Sequence, residues 1–108
     1  MLVVFKPLIG GYTIEIADVT KEQVIMLAEE KKPENVNSLY ITITGNIDGS
    51  ATIQRSYKDK KMYNPEMISG KVNLRLGSDW YDDKCLIIYT PSDVVSGSLK
   101  IRYKFDTF

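Results

Sequence analysis

Leu99, Ile101, Tyr103 and Phe105 alternate with Lys100, Arg102, Lys104 and Asp106. Successive side chains of a strand point to opposite faces, so this segment sorts itself into an apolar side and a charged side. A helix would scatter both kinds of residue around its circumference. The alternation therefore predicts a half-buried strand over 97–106, entered through Gly97-Ser98 and preceded by a turn at Pro91-Ser92-Asp93.

The same period recurs upstream. Leu39, Ile41 and Ile43 alternate with Tyr40, Thr42 and Thr44, and Ala51, Ile53, Arg55 and Tyr57 alternate with Thr52, Gln54 and Ser56. Between them, Gly45-Asn46-Ile47-Asp48-Gly49 has turn composition, so the pair reads as a β-hairpin. Val72, Leu74 and Leu76 mark another strand, ended by Gly77-Ser78-Asp79. Cys85 to Thr90 is apolar on both faces, as a central or doubly covered strand would be. Tyr12 to Ala17 reads as a strand after the Gly10-Gly11 break, and Leu2 to Phe5 as a short one.

Residues 20–32 are ambiguous. Thr20 with Gln23 resembles a capping box, Met26 to Lys32 has helix-forming composition, and Pro33 would stop a helix, which favours one short helix near 20–32. The competing reading pairs Gln23–Ala28 as a strand with Tyr12–Ala17. Residues 58–70, with Lys58, Asp59, Lys60, Lys61 and Tyr63-Asn64-Pro65, read as a long exposed loop.

Six to seven short strands at about ten-residue spacing predict an all-β fold, an antiparallel β-sandwich of jelly-roll type, with a small barrel as the main competitor. The 108 residues suit a single domain spanning 1–108. Met1 to Phe5 is too short for the apolar core of a signal peptide, and no run approaches a membrane span, so the chain reads as soluble.

Composition narrows the chemistry. Fourteen Lys and Arg balance fourteen Asp and Glu, so the basic excess typical of nucleic-acid binding is missing. With no histidine, the commonest general base and metal ligand are absent, and Ser-His-Asp and Cys-His mechanisms are excluded within the chain. The single cysteine, Cys85, lies in an apolar run and reads as a buried hydrophobe. No glycine-rich phosphate loop occurs.

The densest polar constellation is Gly77 to Lys84, which holds the only tryptophan. Asp79, Asp82 and Asp83 make calcium the one candidate cofactor, since that ion takes several carboxylate oxygens from a flexible loop. Trp80 and Tyr81, with Asp79 and Tyr63, could stack on and hydrogen-bond a glycan; Tyr12, Tyr40 and Tyr57 are further aromatic candidates. The competing reading, which we favour, makes Trp80 an anchor of the core and the aspartates a turn. Lys71, Arg75, Lys100, Arg102 and Lys104 form a basic stripe: a solvated face, a docking surface for an acidic partner, or, for Lys100 and Lys104, guards against edge pairing.

These features predict no enzyme. They predict an interaction module that binds a protein partner or its own copies through a sheet face or loops. The alternatives are a small carbohydrate-binding module using the 77–84 loop, with or without calcium, and an inhibitor or immunity-type protein acting by surface occlusion.

Overall fold

The computed structural model describes residues 11–30, 33–57 and 63–107. It is all-β and antiparallel: β1 (Tyr12–Glu15), β2 (Gln23–Ala28), β3 (Val36–Ser56), β4 (Glu66–Asp79), β5 (Lys84–Pro91) and β6 (Ser96–Thr107). They form one six-stranded sheet, β1-β6-β3-β5-β2, with β4 on the other edge of β3, curled into a half-barrel. The strand expected at Leu2–Phe5 and the charge run Lys58–Lys61 lie outside the described residues.

The 21-residue β3 organises the sheet. Its first half pairs with β6, from Val36 opposite Thr107 to Asp48 opposite Ser96. Its second half pairs with β5, from Ala51 opposite Pro91 to Ser56 opposite Leu86. β4 runs along the other edge, with a register shift between Ile47 and Ser50. The two arms, β1-β6 and β5-β2, thus diverge from one strand and face each other across the core as sandwich layers do. Tyr103 of β6 reaches the backbone of Ala28 on β2, and the Tyr89 hydroxyl of β5 donates to the Val19 carbonyl at 2.6 Å.

The hairpin expected at 45–49 is therefore a kink within one strand. Turns and bulges draw on the same residue types, so composition alone does not distinguish a reversal from a bend. Loop 92–95, between β5 and β6, holds the kink. Ser50 N donates to Asp93 Oδ1 at 2.6 Å, Ser92 N donates to Ser50 O at 2.8 Å and Val95 N donates to Asp48 O at 3.0 Å. Just before it, Gly45 and Gly97 sit at φ 144° and 133°. A Cβ on Gly45 would lie 2.1 Å from Ser98 O, and one on Gly97 would lie 2.2 Å from Asn46 O. Only glycine lets β3 and β6 approach so closely here.

The helix expected near 20–32 gives way to strand β2, and its partner is β5 rather than β1. Gln23, Ile25 and Leu27 stand opposite Tyr89, Ile87 and Cys85, and Leu27 is fully buried. Tertiary pairing overrides a weak helical propensity here. The residues that resemble a capping box make a turn instead: Thr20 N and Oγ1 both donate to Asp18 Oδ1, at 2.9 and 2.6 Å. Residues 66–70, expected as loop, are the start of β4, with Ile68 buried opposite Ala51.

The core is the set of faces that alternation assigns to it. Leu39, Ile41, Ile43, Ile53, Ile87 and Ile101 are essentially inaccessible, and Leu99, Tyr103 and Phe105 line the same interior. Cys85 is buried, and desolvation pushes its thiol up to about 12. Among the described residues, no helix is long and apolar enough to cross a membrane.

Candidate functional site

The 77–84 segment is a closed corner. Trp80 is completely buried. Its indole Nε1 donates to Lys84 O at 2.9 Å and its backbone N–H donates to Asn37 O at 3.1 Å. Tyr57 stacks on it with centroids 3.9 Å apart and planes 11° apart, and Tyr63 covers it at 5.5 Å. Arg55 lies 4.6 Å above the Tyr63 ring and donates to Ser78 Oγ at 3.1 Å. Burial and the Tyr63 hydroxyl push the Tyr57 phenol up to about 12. Trp80 therefore lies in the core, its ring covered by Tyr57 and Tyr63. Tyr63 is likewise committed to this cluster. Tyr81 is 69% exposed and Asp79 is exposed, but without Trp80 they have lost the platform the loop reading required.

The aspartates do not converge either. Asp82 Oδ1 accepts from Lys84 N at 3.2 Å, and Asp83 pairs with Lys84 Nζ at 3.0 Å. Asp79 stands at the end of β4 opposite Ser38. Among the described residues, no group of three candidate ligands is placed to hold a metal ion. Local hydrogen bonding accounts for Asp82 and Asp83.

The sheet instead gathers polar groups on the outer face of β4-β3-β6-β1. Register defines its rows. Thr42 stands opposite Arg75 on β4 and Arg102 on β6, and Arg102 stands opposite Thr13 on β1. The neighbouring row runs Asn73-Thr44-Lys100-Glu15. On the other side, Tyr40 stands between Gly77 and Lys104. Lys71 stands opposite Asn46 in the last row. The basic stripe and the threonines of β3 thus form one surface. Thr52 and Gln54 lie on the part of β3 that pairs with β5, and Ser56 is buried.

Two features distinguish this face from ordinary solvated surface. First, Lys104 is paired with Asp106 at 3.3 Å, whereas Lys71, Arg75, Lys100 and Arg102 make no ion pair among the described residues. Second, Tyr40 is 51% exposed, and its ring lies over Gly77: a Cβ there would meet Tyr40 Cδ1 at 2.9 Å and Cε1 at 3.3 Å. The bare backbone of Gly77 makes the bed for the ring. Gly77 is inside β4, not at its end, so only pairing with β3 gives it this role.

No protein-family model matches the chain, and no curated protein matches its sequence. A solved structure titled "CBM4 structure and function" is similar with a TM-score of 0.47 and 8% identity, covering 95% of this chain and 76% of that one.

Proposed function

We propose that this chain is a non-catalytic carbohydrate-binding module whose ligand lies on the outer face of β4-β3-β6-β1. The observation that carries this reading is the exposed Tyr40 ring seated over Gly77 amid a polar surface. An aromatic face offers apolar contact to the C–H side of a sugar ring. Thr42 and Thr44 beside it supply hydroxyls that both donate and accept, as sugar hydroxyls require. A protein interface would want an apolar centre and few lysines, and this face has the reverse composition. The test is binding of polysaccharides to the intact chain and to Tyr40→Ala. The variant keeps its fold, because Tyr40 is exposed, and loses glycan affinity.

A second reading, self-association, is favoured by a different surface. Among the described residues β2 pairs only with β5. It carries no charge, proline or glycine, while Val24 and Met26 are 61% and 52% exposed on its outer side. Such an edge suits strand addition by a second copy. Light scattering after size exclusion distinguishes the readings: a dimer that Met26→Lys dissociates supports self-association.

A further inference from the structure

We infer that the ligand of this face is an acidic carbohydrate, one bearing carboxylates, held by Arg75 and Arg102 on either side of Thr42. This inference rests on the carbohydrate reading above and adds the charge class of the sugar.

Four observations lead to it. On β6 the cations are not needed to guard an edge, because that strand is paired on both sides, with β1 and β3, whereas Arg75 and Lys71 stand on β4, which among the described residues pairs only with β3. Arg102 and Lys100 therefore do not serve to block pairing at an open sheet edge, as charges on edge strands do. They form no close ion pair: Arg75, Arg102, Lys100 and Lys71 have no ion-pair partner among the described residues, and all four are exposed, with Glu15 opposite Lys100 the carboxylate nearest them in register. With Lys104 they outnumber the carboxylates of the same face, Glu15, Asp79 and Asp106, although the whole chain has net charge +0, so this face attracts anions despite the neutral total. Finally, their spacing suits a repeating ligand. Two strand-to-strand steps separate Arg75 from Arg102, about 10 Å between backbones, and two residues along β6 separate Lys100, Arg102 and Lys104 by about 7 Å each.

The chemistry of the pair selects carboxylate. A guanidinium presents a planar fork of N–H donors that matches a carboxylate in a bidentate way. Thr42 between the two arginines can donate to the same acid or to a neighbouring hydroxyl. Tyr40, one row away and tipped toward Gly77, would support the apolar face of the adjoining sugar ring. A chain of uronate units combines both requirements.

The experiment uses polygalacturonate and the same polymer with its carboxyls methyl-esterified, titrated onto the intact protein by calorimetry. Dextran sulfate and polyglutamate are the anionic controls. Arg75→Gln, Arg102→Gln and Tyr40→Ala are compared, with Trp80 emission as the check on folding. We expect binding to polygalacturonate that weakens with salt, and at least tenfold weaker binding to the ester. Each arginine variant should lose about tenfold on polygalacturonate and nothing on the ester. Tyr40→Ala should weaken both. Equal binding of acid and ester, unaffected by the arginine variants, overturns the acidic assignment and leaves the carbohydrate reading standing. Preference for dextran sulfate overturns the carboxylate. Binding of polyglutamate alone, or of none of these polymers, overturns both readings.

Discussion

The ring of Tyr40 occupies the space that a side chain on Gly77 would need, with Cδ1 only 2.9 Å from where a Cβ would sit. The contact is with the end of a movable side chain rather than with backbone. Gly77→Ala should therefore cost little stability, within about 1 kcal/mol, while lifting the ring from its bed. We expect a folded variant with glycan affinity reduced about tenfold. Urea denaturation and calorimetry on the same sample separate the two effects.

Trp80 should report on the core and not on a ligand. Its emission should be blue-shifted, protected from a neutral quencher, and unchanged by calcium, because the neighbouring aspartates do not assemble a site. Trp80→Ala removes the partner of both Tyr57 and Tyr63. A loss of about 3–5 kcal/mol in unfolding free energy is expected, large enough to leave the variant marginal.

The close approach of β3 and β6 depends on the facing Gly45 and Gly97. Gly45→Ala and Gly97→Ala each place a Cβ within 2.1–2.2 Å of a backbone oxygen, at positive φ. Because backbone rather than a flexible side chain must yield, each should cost about 2 kcal/mol or more. Urea midpoints would measure it. A neutral Gly45→Ala would mean that β3 and β6 do not approach as closely as described.

Stability should fall in alkali. Burial raises the Tyr57 phenol from 10.0 to about 12 and the Cys85 thiol from 9.0 to about 12. Both groups hold their proton more tightly when folded. Between pH 9 and 12 the native state therefore binds more protons than the unfolded chain, and unfolding free energy declines as pH rises through that window. Melting temperatures should be level up to about pH 9 and drop above it. Cys85 should also resist thiol reagents at pH 8 until the protein is unfolded.

Much of the fold was legible because alternation assigns faces. Leu99, Ile101, Tyr103 and Phe105 are buried as their period requires, and Cys85 to Thr90, apolar on both faces in the sequence, falls in β5, central between β3 and β2. Alternation does not assign neighbours. Asp48 and Gly49 looked like a hairpin turn, yet they bend β3 from one partner to another, a distinction that lies in loop 92–95 rather than in the turn residues. Met26 to Lys32 carried helix-forming composition, but the apolar face of Gln23–Ala28 found β5. The candidate site was half visible. The cations and threonines were evident, but the row that puts Thr42 between Arg75 and Arg102 follows only from register. The loop around Trp80 attracted attention by composition, and the structure spends its aromatic ring on the core.

The most direct test of the binding face is an amide chemical-shift titration of the intact, isotope-labelled protein with a galacturonate oligosaccharide. The account predicts saturable shifts at Tyr40, Thr42, Arg75, Gly77 and Arg102, clustered on the outer face of β3, β4 and β6, with β2 and β5 silent. Shifts confined to Tyr81, Asp82 and Asp83, or no saturable shifts at all, would contradict it.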